Sequence, residues 1–162
     1  MRTLFTDTNC CCVDILLIVN TSLSRYTYFR TRLHINTYHM TDLEIQGTNK
    51  TPTVRFIAAS GLLELKGRSI PENSLDFYKN LITWTEDYAK KPKSETTVHI
   101  QLEYFNTSSS KCILDLFKKL EVAKSKVEIH WFYEQDDEDM LEAGEDYEAI
   151  INIPFRMIEV EG

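Results

Sequence analysis

Long apolar runs are missing from this chain. The longest, Ile15-Leu16-Leu17-Ile18-Val19, follows Asp14 and falls far short of the ~20 residues that cross a bilayer, so no membrane span is expected. Cysteine is scarce and badly spaced for metal. Cys10, Cys11 and Cys12 are adjacent and Cys112 stands alone, with no C-x-x-C pair and no Cys/His zinc spacing. That usage fits a reduced, cytoplasmic setting. Positive charge is short as well. Lys and Arg total 18 against 25 Asp and Glu, a net charge of −7. An acidic domain is poorly suited to a phosphate backbone, which sets nucleic acid aside as a partner. No G-x-S-x-G, Walker or dinucleotide-binding pattern occurs. No catalytic residue, metal or cofactor is therefore implied.

What is present divides unevenly. Residues 1–39 contain no Glu, Lys, Ala, Gly or Pro, but seven Thr and the three consecutive Cys. They carry four Arg and two Asp, leaving −9 for residues 40–162. A signal peptide fits poorly, because the apolar run is short and no small-residue cleavage site follows it. A membrane-associating or regulatory arm is a second reading. The reading adopted is that residues 1–39 are a poorly matching extension, disordered or an artefact of start-site choice with translation beginning at Met40. Residues 40–162 are expected to form the domain.

Within 40–162, period-2 patterning marks strands. Val54, Phe56 and Ala58 alternate with Arg55 and Ile57; Leu63 and Leu65 alternate with Glu64 and Lys66; Ser60-Gly61 turns between them. Val98, Ile100, Leu102 and Tyr104 alternate with His99, Gln101 and Glu103. Val127, Ile129, Trp131 and Tyr133 form a further run, and Phe155 to Val160 a short last one after Pro154. Helical spacing lies between the strands. Leu75, Tyr78, Leu81, Ile82 and Tyr88 mark a first helix after Pro71-Glu72-Asn73-Ser74. Cys112, Ile113, Leu116, Phe117 and Leu120 mark a second, and Met140, Leu141 and Tyr147 anchor an acidic third from about Asp137 to Glu148. The order β-β-α-β-α-β-α-β implies an α/β domain whose later strands are parallel, joined by right-handed crossovers.

The stretch with most chemical content is Asn106-Thr107-Ser108-Ser109-Ser110-Lys111. A strand ends there and the second helix begins, so several hydroxyls gather where unpaired N–H groups and the helix dipole favour an anion. At 100° per residue with Thr107 at zero, the apolar residues of this helix fall at about 140–280° and Ser109 at about 200°, pointing inward. Ser108 and Ser110 flank. Thr107 points outward, on the side of Lys111, Leu114 and Lys118. Thr107 is thus the first candidate for phosphorylation and Ser108 the second. Capping alone would account for one Asn, Thr or Ser, whereas five stand in a row.

Other candidates carry less. Nine carboxylates fall within Glu134–Glu148, but without the Gly and closing Glu of a calcium loop. Acidic residues at a helix start complement its dipole. His99 and His130 sit on the less apolar faces of their strands and read as partly buried structural residues; Trp131 and Tyr133 read as core, Cys112 as buried and inert. The alternative reading is a small-ligand-binding α/β domain whose site lies at the strand edge carrying Thr107, without phosphorylation.

Several of these motifs together resemble one family. Leu102-Glu103-Tyr104-Phe105-Asn106-Thr107-Ser108-Ser109-Ser110-Lys111 resembles the central motif of the SiaC family of regulatory phosphoproteins. Ser69-Ile70-Pro71-Glu72-Asn73-Ser74 resembles its second signature; Ile45-Gln46-Gly47-Thr48, Thr51-Pro52, Asp136–Met140 and Pro154-Phe155 also fit, over about residues 41–160. The resemblance implies a STAS-like, SpoIIAA-like fold, as in anti-sigma-factor antagonists, with helices mainly on one face of a mixed sheet. It implies no enzymatic activity of its own. It makes Thr107 the phosphoacceptor, surrounded by Asn106, Ser108, Ser109 and Lys111. It implies a Ser/Thr kinase related to anti-sigma factors, a metal-dependent Ser/Thr phosphatase, and a diguanylate cyclase bound and activated by the unphosphorylated form. The partner surface is then expected around Thr107 from Leu114, Lys118, Pro71, Glu72 and Asn73.

Overall fold

The computed structural model describes residues 12–19, 27–34 and 40–161. The chain divides into two units at Met40. In the first, β1 (Cys12–Val19) and β2 (Thr27–His34) pair antiparallel, Cys12 opposite His34. The rest of the segment set apart in the sequence lies outside the described residues.

The second unit runs β3 (Leu43–Ile45), β4 (Thr53–Ile57), β5 (Leu62–Ser69), α1 (Ser74–Lys90), β6 (Glu95–Phe105), α2 (Thr107–Glu121), β7 (Lys126–Glu134), α3 (Glu138–Ile150) and β8 (Phe155–Val160). This is the expected α/β order with one strand added. β3 is a three-residue edge strand, too short to show an alternation. The six strands lie in sequence order. The β3–β4 and β4–β5 pairs are antiparallel, and β5 through β8 are parallel.

That order explains where the helices go. Each of α1, α2 and α3 carries the chain one strand further in the same direction. Right-handed crossovers that all step the same way place their helices on the same face. The core is accordingly one-sided. Val54, Phe56, Leu63, Leu65, Val98, Ile100, Ile129 and Trp131 point from the sheet into it, and Tyr78, Leu81, Ile113, Leu116, Phe117 and Leu120 meet them from the helices. The other sheet face, with Glu64, Lys66, His99, Gln101, His130 and Phe132, stays partly or fully open. Among the described residues no helix is long and apolar enough to cross a membrane.

Two apolar residues depart from expectation. Tyr104, read as inward-facing, is 53% exposed. The β5–β6 register steps from Gly67↔Leu102 to Arg68↔Tyr104, so Glu103 is an extra residue in β6. A bulge shifts the alternation by one, turning Tyr104 out and bringing Phe105 toward Trp131, with ring centroids 6.2 Å apart. Leu75, counted on the apolar stripe of α1, is 75% exposed. The buried stripe is Ser74, Tyr78, Leu81, Trp84, Thr85 and Tyr88, and Leu75 lies about 120° from its centre. Between β4 and β5 the expected turn forms at Gly61, whose φ is 73°.

Candidate functional site

Because β5, β6 and β7 are parallel, their carboxyl ends share one edge, and α1, α2 and α3 all begin there. In α/β sheets this edge is where sites gather. The local geometry starts from Asn106. Its backbone is extended, with φ −87° and ψ 166°, and its Oδ1 accepts from the Ser109 N–H at 2.8 Å. Its own N–H donates to the Ser69 carbonyl at 3.1 Å, anchoring the cap to β5. The N-cap is therefore an asparagine, and Thr107 is the first residue inside the helix.

This frees the threonine. Thr107 and Ser108 are exposed, and neither hydroxyl is hydrogen-bonded among the described residues. The other two are engaged. Ser109 is fully buried, its Oγ 3.3 Å from Ser74 Oγ at the start of α1. Ser110 is held by α3: Tyr147 OH donates to the Ser110 carbonyl at 3.1 Å, and the two hydroxyls lie 2.8 Å apart. Burial, partly offset by that contact, pushes Tyr147 up to about 12, so its hydroxyl keeps its proton for the Ser110 carbonyl. The inward direction read for Ser109 is thus found. Lys111, one turn beyond Thr107, is exposed.

The residues expected to form a partner surface differ in accessibility. Glu72 and Asn73 are exposed beside the N-terminus of α1. Asn73 caps that helix, accepting from the Asp76 N–H at 3.2 Å, while Glu72 pairs with Lys50 at 3.0 Å. Pro71 is buried and so cannot contribute a contact surface. Leu114 is half-buried and packs on the core rather than standing free. Lys118 is exposed, but 11 residues of helix place it about 16 Å along the axis from Thr107, beyond the reach of a group there. Sequence reasoning missed Leu75 and Tyr104. Both are exposed apolar residues at this edge, one next to Ser74 and the other two residues before Asn106. Only the bulge at Glu103 reveals the second.

The acidic run enters the same edge through the β7–α3 connection. Asp137 caps α3, accepting from the Met140 N–H at 2.9 Å, and Glu138 and Asp139 fill its first turn. Among the described residues no group of three or more His, Cys, Asp or Glu is placed to hold a metal ion. On the open sheet face a depression of 310 Å³ is lined by Lys66, Glu103, Phe132, Tyr133 and Glu134 among others. Its lining also reaches Asp137 at the start of α3 but does not include Thr107.

Capping is the main contribution of Asn106, so Asn106→Ala should cost about 1 kcal/mol of stability. A urea titration reads this as a lower midpoint at unchanged slope. Asn106→Asp should retain the cap, because a carboxylate also accepts at a helix N-terminus. Equal midpoints for wild type and Asn106→Ala would show that the Ser109 N–H finds another partner.

Comparison with known proteins bears on the fold and the family. Residues 45–160 match the model of a family described as SiaC family regulatory phosphoprotein. An uncharacterised protein of Pseudomonas aeruginosa (strain UCBPP-PA14) is 32% identical over 119 residues, covering 72% of this chain and 94% of the relative. The structure of apo-SiaC from Pseudomonas aeruginosa superposes with a TM-score of 0.68 at 31% identity, covering 74% of this chain and 99% of that one. The structure of the diguanylate cyclase SiaD in complex with its activator SiaC, also from Pseudomonas aeruginosa, gives 0.70 at 30% identity, covering 74% and 100%.

Proposed function

The chain belongs to the SiaC family of regulatory phosphoproteins, and from that premise we propose that it is a switch whose partner binding is controlled by phosphate on Thr107. It is a regulatory protein, not an enzyme. The observation that carries the proposal is the free, exposed Thr107 hydroxyl at the first turn of α2, left unengaged because Asn106 performs the capping.

Phosphothreonine would add about −1.5 to −2 charge. At a helix N-terminus the domain tolerates this, gaining ~0.3–1 kcal/mol from the dipole, with Lys111 one turn away. A partner packed over Thr107 would have to strip water from the phosphate or answer it with cations. The same event that leaves the carrier folded therefore expels its partner. The contact surface comprises Thr107, Ser108, Lys111, Glu72 and Asn73, with Leu75 and Tyr104 as apolar contacts and Leu114 through its exposed part.

The output partner is a diguanylate cyclase, by analogy with the activation of SiaD by SiaC, so the output is cyclic-di-GMP signalling. The kinase is related to anti-sigma factors, the phosphatase is metal-dependent, and the setting is cytoplasmic. Desolvating a phosphate costs several kcal/mol per ion, so cyclase affinity should fall ~100-fold or more on phosphorylation, a change of about 2.7 kcal/mol. The test compares cyclic-di-GMP formation and binding with unmodified and Thr107-phosphorylated chain. Equal activation by both forms would refute release as the mechanism.

A further inference from the structure

The sheet splits at its carboxyl edge. The β6–β7 ladder ends at Ile100↔Trp131. Both strands run on beyond it, β6 along β5 to Phe105 and β7 along β8 to Glu134. Between the two halves, facing backbone N–H and C=O groups are left without ladder partners. The 310 Å³ depression occupies this split. Lys66, Gln101 and Glu103 line it from one half, Phe132 and Glu134 from the other, and Asp137 from the start of α3. A crevice at the carboxyl ends of parallel strands is a usual place for a small ligand.

Charge is ordered along this cleft. Lys66 is level with Gln101 in the β5–β6 register. Glu103 stands two residues beyond Gln101, and Glu134 two beyond Phe132, a step of about 6.6 Å in a strand. The ammonium thus lies toward the inner end, and the carboxylates, with Asp137, toward the outer. Lys66, Glu103 and Glu134 are exposed and enter no ion pair among the described residues. Among those residues no three acidic groups converge to hold a metal ion. A point charge therefore does not fit this lining, whereas a molecule with separated charges of both signs does.

We propose that the cleft binds a free basic α-amino acid of the lysine or arginine class. Its α-carboxylate meets Lys66 and the Gln101 amide. Its side-chain cation reaches the outer end between Glu103 and Glu134, and the stem lies along Phe132. Unpaired backbone carbonyls of the split accept from the α-ammonium. A phosphate-bearing ligand would face three carboxylates against one ammonium, which sets nucleotides aside. The volume is at the lower end of the ~300–1,000 Å³ of ligand pockets, which suits a molecule of amino-acid size.

Calorimetric titration of the full, unphosphorylated chain with L-lysine and with L-arginine tests this. Saturable micromolar-to-millimolar binding of at least one is expected. Cadaverine, which lacks the carboxylate, should bind several-fold more weakly than L-lysine. Lys66→Gln should weaken L-lysine several-fold and leave cadaverine unchanged. Glu103→Gln combined with Glu134→Gln should weaken both about tenfold. The proposal fails if neither amino acid binds at millimolar concentration, if cadaverine binds as well as L-lysine, or if these variants bind like the wild type. Tighter binding of lysine blocked at both α-groups, the form a protein segment presents, would also overturn it. Should a variant not fold, amide spectra of the wild type decide. L-lysine should shift Gln101–Glu103 and Phe132–Glu134, and shifts confined to other residues overturn the site. The readout is binding alone, so its outcome is separate from that of the Thr107 proposal.

Discussion

Thr107→Ala is expected to abolish phosphate uptake from the proposed kinase while leaving the domain as stable as the wild type. Both halves follow from the first turn of α2. The Thr107 hydroxyl supports no contact, and the capping bond to the Ser109 N–H comes from Asn106 at 2.8 Å. Alanine is a better helix former than threonine, so stability should change by less than ~0.5 kcal/mol. The neighbouring hydroxyls do not substitute equally. Ser109 is fully buried and closed to any kinase. Ser110 is held by Tyr147 at 2.8 Å. Only Ser108 shares the exposure of Thr107. Intact mass with peptide mapping should therefore show one phosphate on the wild type and none on Thr107→Ala. Undiminished uptake located on Ser108 would move the site by one residue and keep the switch. Undiminished uptake elsewhere would remove it from this edge. Thr107→Glu should release the partner only in part, since it supplies one charge where phosphate supplies up to two.

How much of this was readable beforehand depends on whether the signal was local. The inward turn of Ser109 follows from helical period alone, and the cap from residue type. The one-sided sheet follows from strand order, which the alternation of strands and helices makes readable with the crossover rule. Failures occurred where a single residue breaks the local period. Glu103 inserts into β6 and reverses the facing of Tyr104, and no composition cue marks it. Leu75 reads as core by type, yet it lies off the stripe through Tyr78, Leu81 and Tyr88. Pro71 reads as an accessible turn residue and is buried, because the Ile70 N–H after β5 is bonded to the Lys50 carbonyl at 2.8 Å and the connection is drawn onto the domain. His99 and His130 could be placed on the polar face of their strands. Their stacking depends on strand register, a property of two segments that neither segment displays.

The largest stability loss is expected at Gly144, a residue that sequence analysis did not single out. It lies in α3 directly over the indole of Trp131. A Cβ at this position would sit 2.7 Å from Trp131 Cδ1, 2.8 Å from Nε1 and 3.0 Å from Met157 Sδ. The indole cannot retreat easily. It is fully buried, its Nε1–H donates to the Met140 carbonyl at 2.9 Å, and Phe105 and Tyr147 pack against its ring. Gly144→Ala thus sets two effects against each other. The helix gains about 1 kcal/mol from losing a glycine, while forcing a methyl into a closed contact costs typically 1–3 kcal/mol and occasionally more. With a rigid indole opposite, the upper part of that range applies and the net loss should be about 2 kcal/mol. Urea denaturation reads it as a lower midpoint. The consequence also reaches the proposed phosphosite. Tyr147, three residues on, fixes the Ser110 carbonyl and hydroxyl, so lifting α3 from β7 should loosen the first turn of α2. Faster amide exchange at Ser109 and Ser110 would reveal that coupling, and slower kinase turnover at Thr107 would not be needed to see it. A Gly144→Ala protein more stable than wild type would mean that α3 shifts without cost, and would break the proposed link between the acidic helix and the switch.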